Sequence, residues 1–307
     1  MMRASQWFSR TAMLIVIAAV GCGGGAPPEK SLAEQLNDAR QLPSAEARAA
    51  ALIRIADLQR AGGDTMDAKS TLATASSSAE QIEHAYTKAT TLAQIAAAQA
   101  VISTKQIARG TLRKAAKAVK EIEDPHMRML ASLEQAEAAL KLEDQGQALS
   151  LLKSAEQLAG DVELPDASCD CLLNVASGYH AADQQDEAKR VINATLVKIR
   201  ELENARRKSD LLGDAALALR RSNEADVATW QGVLTESQQM AEGITDPLAR
   251  SYALVHLAEC LNTVGKQGDA ETILVKAEAD ADKVTDNAMR GPLIEAIRKQ
   301  QASASSG

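Results

Sequence analysis

Few side chains in this sequence have the type and spacing to do chemistry. Cys169-Asp170-Cys171 offers two thiols around a carboxylate, the raw material of a metal half-site or a redox pair. Residues two apart on a helix point about 200° away from each other, so the two thiols cannot grip one ion without unwinding the turn. A disulfide across one residue is strained unless the helix begins after it. Both cysteines therefore read as small buried or half-buried residues. His256 and Cys260 lie four apart, on one helical face, and could bind a metal as a pair. Two ligands do not close a site, and neither His126 nor His180 falls in register to complete it, so they too read as packed helix residues. The sequence has no Gly-rich phosphate loop, HExxH, nucleophile elbow or CxxC. The expectation is no catalytic residue, no metal, no cofactor and no enzyme activity.

The elements that position these residues follow a forty-residue register. Ala68/Leu72/Ala75 returns at Ala108/Leu112/Ala115 and Ala148/Leu152/Ala155, loosens to Ala188/Ile192/Thr195, and closes after a two-residue slip at Ala270/Leu274/Ala277. Self-similarity at this period marks stacked repeats. Each unit reads as two amphipathic helices. In the first, Leu52, Ile55, Ala56 and Leu58 share helical spacing, and Ala61-Gly62-Gly63-Asp64 stops that helix. Asp64 or Thr65 then caps a second, carrying Ala68, Leu72, Ala75, Ala79 and Ile82. Units end near Ile82, Ile122, Val162, Leu202, Ile244 and Val284. The slip maps between Ala216 and Leu234, near Ser222-Asn223, where Trp230 takes a place otherwise held by alanine.

Unit boundaries carry their own punctuation. Asp124-Pro125 and Asp246-Pro247 set a capping Asp before a Pro in the first turn. A cation follows at Arg48, Lys88, Arg128, Lys208, Arg250 and Arg290, and Ser168 alone breaks the series. As a series these cations are expected to satisfy the carbonyls or acids of the preceding helix end.

The N-terminus follows a different logic. Arg3 and Arg10 precede a short apolar run, Ala12–Val20, too short to span a bilayer as a helix. Ala19-Val20-Gly21-Cys22 resembles the bacterial lipobox, with Ala19 where that motif usually has Leu, and Gly23-Gly24-Gly25-Ala26-Pro27-Pro28 suits a flexible tether. The resemblance implies a signal peptide over 1–21, lipidation of Cys22, and a lipoprotein. Gly23 in place of Asp implies the periplasmic face of the outer membrane. Without Arg3 and Arg10, 32 of the 34 basic side chains remain against 41 acidic ones, a net of −9. No basic stripe exists for nucleic acid, and membrane contact must come from the lipid alone. Three cysteines then remain, an odd number, expected as buried free thiols in a chain large enough to need no staples. Of the aromatics only Tyr86, Tyr179, Trp230 and Tyr252 follow Cys22, which argues against β-sheet and against an aromatic-lined pocket.

The repeat spacing resembles the tetratricopeptide repeat. In its first helix, the large place is Leu52, Leu92, Ser132, Leu172, Leu212 and Leu254, and the small place is Ala56, Ala96, Ala136, Ala176, Ala216 and Ala258. The second-helix place is Leu72, Leu112, Leu152, Ile192, Leu234 and Leu274. The period is forty rather than that family's thirty-four, and its aromatics and terminal proline are mostly missing; HEAT-type repeats are the alternative. The expected fold is an all-α, right-handed α-solenoid of about six forty-residue helix-turn-helix units over 45–300. A tether and N-terminal cap precede it (22–44), a shorter capping helix opens at Gly291-Pro292, and a disordered tail follows (301–307).

The resemblance also implies a groove lined by first helices. Asp57, Ala97, Glu137, Ser177, Leu217 and Glu259 would face it, with Ile53, Ala93, Leu133, Leu173 and Val255 one turn earlier. Acids and aliphatics there suit an amphipathic or basic protein segment rather than a C-terminal carboxylate. The expected function is a lipid-anchored interaction scaffold with an unknown protein or peptide partner; the alternative is a small-ligand- or metal-binding envelope lipoprotein.

Overall fold

The computed structural model describes residues 30–103 and 105–305, which form helices with no strand among them. A short α1 (Leu32–Gln41) leads into six antiparallel pairs: α2 (Ala45–Ala61) with α3 (Thr65–Glu80), α4 (Ala85–Ile102) with α5 (Lys105–Lys120), α6 (Pro125–Lys141) with α7 (Gln145–Gly160), α8 (Pro165–Ala181) with α9 (Gln185–Glu201), α10 (Ala205–Ser222) with α11 (Val227–Glu242), and α12 (Pro247–Thr263) with α13 (Gln267–Ala281). A final α14 (Asn287–Ser305) closes the stack. Each first helix packs on its own second helix and on the first helix of the next unit, and each second helix packs on the next first helix. The fold is an all-α solenoid of stacked antiparallel helix pairs.

The alanine series explains the stacking. Ala56, Ala96, Ala136, Ala176, Ala216 and Ala258 are all at most 2% exposed. A side chain of one carbon there lets neighbouring helices close to backbone-limited distance. The second-helix series Leu72, Leu112, Leu152, Ile192, Leu234 and Leu274 is buried against it. Leu58, placed on the inward stripe from sequence, is exposed instead, and Gln59 takes the buried place.

The boundary signals have physical counterparts. Asp124 and Asp246 accept from the amides of Met127 and Ala249, each at 2.7 Å, ahead of a Pro at the helix start. Arg48 donates to the carbonyl of Leu42 at 2.8 Å, Arg128 to that of Ile122 at 2.7 Å, and Arg250 to that of Ile244 at 2.9 Å. Each acceptor lies six residues back, at the unit-end place. Where Ser168 breaks the series, its hydroxyl donates to Ala159 O at 2.8 Å, a shorter reach to the same kind of target. Arg250 also holds Asp280 of α13, at 2.5 and 2.6 Å.

Three expectations are corrected or refined. The last helix begins at Asn287, not at Gly291-Pro292, so Pro292 lies inside it; near the helix start its missing N–H removes only one interior bond. The helix continues to Ser305, into the segment read as a disordered tail. The two-residue slip is divided between one extra residue in α10 and a longer connection, 223–226, before α11. Trp230, 6% exposed, fills the space beyond that connection, under the Arg220 guanidinium 5.8 Å from its ring. Cys22 and the rest of the 1–21 and tether readings lie outside the described residues. Within them, no helix is long and apolar enough to cross a membrane.

Two outcomes test this packing. Ala96→Leu overpacks a fully buried contact and is expected to lower stability by about 1–3 kcal/mol in urea unfolding. Asp280 is held below the usual carboxylate range, chiefly by its hydrogen bonds from Arg250. A depressed folded pKa stabilises above the unfolded value and loses that contribution on acidification. Asp280→Asn should therefore lower the Tm at pH 7, and the gap to the parent should begin to close only as pH falls below the ordinary value of 3.8, toward the depressed folded value.

Candidate functional site

The first helices of the last three two-helix units meet around a cavity of about 490 Å³. α8 contributes Asp170, Leu173 and Asn174; α10 contributes Asp214, Leu217, Ala218 and Arg221; α12 contributes His256, Glu259, Cys260 and Thr263. Leu173, Leu217 and Glu259, placed on the groove face from sequence, line this cavity. Asp57 and Glu137 lie on other units, paired with Arg60 at 3.7 Å and Lys141 at 2.7 Å. Leu133 and Val255 are buried in the core, and Leu173 borders the cavity with only 4% of its surface exposed, because the turn before the small alanine lies under the neighbouring unit.

The cavity is built around one close contact between successive units. Asp214 and His256 hold equivalent register places on α10 and α12, one period plus the slip apart. Asp214 Oδ1 lies 3.3 Å from His256 Nε2, and Cys260 Sγ lies 3.8 Å from the same nitrogen. His256 Nδ1 faces Glu259 at 3.9 Å. Burial opposes charge on His256, but hydrogen bonding to Asp214 and Cys260 overrides it and raises the imidazole above its ordinary value. Burial pushes the Cys260 thiol up, against the His256 contact. Arg221 at the cavity wall is pushed down to about 10 by burial. The arrangement brings a thiol, an imidazole and a carboxylate together in a partly enclosed space.

Gly213 makes this approach possible. A Cβ built there would sit 3.0 Å from Cys260 Sγ, 3.6 Å from Ser237 Oγ and 3.7 Å from His256 Cδ2. It occupies the register place that Ile53, Ala93, Leu133, Leu173 and Val255 hold in other units. The gap it leaves in that otherwise aliphatic series was the sequence signal for the site. Asp214 carried no signal by type, only by sharing the register of His256.

The other thiols serve packing. Cys169 and Cys171 are free, and at most 1% exposed inside α8. Burial pushes both thiols up, Cys171 to about 12. Asp170 between them points outward to Arg207, at 3.1 Å.

No protein-family model matches the chain, and no curated protein matches it. Solved structures give distant likenesses. Ton1535 from Thermococcus onnurineus NA1 aligns with a TM-score of 0.45 at 15% identity, over 86% of this chain and 94% of that one. A Podospora anserina kinesin light chain protein with nearly identical TPR-like repeats aligns at 0.39 and 16%, over 67% and 100%. A Rap protein complexed with Competence and Sporulation Factor aligns at 0.38 and 13%, over 89% and 80%.

Gly213→Ala is expected to cost stability, because the clash with Cys260 outweighs the gain of up to about 1 kcal/mol that Ala brings to a helix. In a Cys260→Ala background the same change should become stabilising. Urea titrations of the four proteins in this cycle read the sign change directly.

Proposed function

We propose that this protein is a non-catalytic interaction scaffold, held at the bacterial envelope by a lipid on Cys22, that binds a protein segment along the face of its first helices. The observation that carries the reading is the chemistry of that face. Glu137, Asp170, Asp214 and Glu259 lie along it beside partly exposed Leu217, while the large side chains that hold the units together are turned into the core. Acidic and aliphatic groups on rigid helices complement a basic amphipathic segment. The stacked pairs supply length rather than depth, which suits a chain-like partner better than a small substrate. The lipobox-like segment and the glycine-rich stretch after Cys22 support the anchor.

The experiment is crosslinking pull-down from native membranes, run beside fractionation. Parent protein should fractionate with membranes and capture a partner with a basic segment. Capture should weaken on raising salt and in the double variant Glu137→Lys/Glu259→Lys. Cys22→Ser should release the protein from membranes or leave an uncleaved precursor. A Cys22→Ser protein that stays acylated and membrane-bound refutes the anchor, and capture indifferent to salt and to charge reversal refutes the acidic face.

A further inference from the structure

We propose that Asp214, His256 and Cys260 bind a divalent metal ion of the zinc class, with the cavity side left open for a water ligand. One donor atom from each lies within 4.8 Å of the others. Around a tetrahedral zinc ion with bonds of about 2.0–2.3 Å, neighbouring ligand atoms lie roughly 3.3–3.6 Å apart. The carboxylate–imidazole separation of 3.3 Å fits that spacing, and the thiol–imidazole separation of 3.8 Å needs only a small side-chain shift.

The geometry favours metal capture over a nucleophilic relay. In a thiol–imidazole–carboxylate relay, nucleophile and carboxylate use opposite ring nitrogens. Here Cys260 and Asp214 approach the same nitrogen, Nε2, as donors to a shared cation do. The opposite nitrogen, Nδ1, faces Glu259 at 3.9 Å, where a carboxylate orients a metal-bound imidazole. A thiolate, an imidazole and one carboxylate form a donor set suited to zinc or cobalt rather than to magnesium or calcium.

Access and field agree with this assignment. The three groups line a cavity of about 490 Å³, so an ion has an entry path and the open position faces water. With Asp170 held by Arg207, Asp214 and Glu259 face Arg221 on its walls, a balance that favours a cation. Gly213 clears the space beside the thiol, and any larger residue at that register place would press on Sγ. The ligands come from α10 and α12, so a bound ion would clamp two successive units together.

The test uses the purified full chain, stripped with a chelator under reducing conditions and titrated with Co²⁺, then Zn²⁺. Expected are one Co²⁺ per chain, a thiolate-to-cobalt charge-transfer absorption that Zn²⁺ bleaches, and a rise in Tm with metal. Cys260→Ser should abolish the absorption, while Cys169→Ser and Cys171→Ser should leave it intact. Asp214→Asn should weaken Co²⁺ binding at least about tenfold, the loss that removal of even an outer partner of a metal ligand causes. No thiolate absorption in the parent, or its persistence in Cys260→Ser, overturns the proposal. If Cys260→Ser does not fold by circular dichroism, Asp214→Asn decides, and unchanged Co²⁺ affinity in that variant overturns it.

Discussion

Six alanines set the terms for everything else in this chain. Ala56, Ala96, Ala136, Ala176, Ala216 and Ala258 are buried where first helices meet their neighbours, and no larger side chain fits without forcing helices apart. Because the close approach is made by methyl groups, the large residues can turn the other way. Leu52, Leu92, Leu212 and Leu254 and the second-helix leucines fill the space between the two layers. The core is therefore a seam running the length of the stack, and the scarcity of aromatics follows from its narrowness. Among the described residues Tyr179 is the one aromatic buried to 1%, and its hydroxyl reaches out to Glu156 at 3.1 Å.

The boundaries solve a second problem, the carbonyls left over where one unit ends and the next begins. A helix end leaves acceptors without intrahelical donors. Arg48, Arg128 and Arg250 each reach back six residues to supply one, and the hydroxyl of Ser168 answers a nearby carbonyl with a shorter side chain. Asp124 and Asp246 treat the opposite end of the joint, accepting from amides of the next helix. These joints are thus fixed by hydrogen bonds as well as by burial, whereas Lys88 and Lys208, in the same register, carry no such bond.

Periodicity made the fold readable, and the same periodicity hid the site. A register of small and large residues reports packing directly, because every unit must solve the same problem; hence the pairing and the place of the slip could be read from sequence. A site is a departure from the register, and departures are visible only when units are compared place by place. Gly213 stands in an aliphatic series and Asp214 shares a place with His256, yet by type alone one reads as a flexible helix residue and the other as a solvated acid. The exposure of Leu58 and the start of the last helix ahead of Pro292 were equally beyond periodicity. Each depends on which neighbour covers a helix end, and the first and last units are flanked on one side by a single helix, α1 or α14, instead of a pair.

The two layers of the stack differ in how they are joined. First helices pack directly on one another, whereas successive second helices share no packed interface and are linked across the gap by side-chain pairs. Glu80–Lys114 at 2.6 Å, Glu156–Arg190 at 2.8 Å, Arg200–Glu236 at 2.8 Å and Glu242–Lys276 at 2.7 Å form that linkage, and all are partly exposed. Pairs of this kind are weak singly and are screened by salt. Salt therefore reaches the direct links between successive second helices, while the buried seam between first helices is insulated from it.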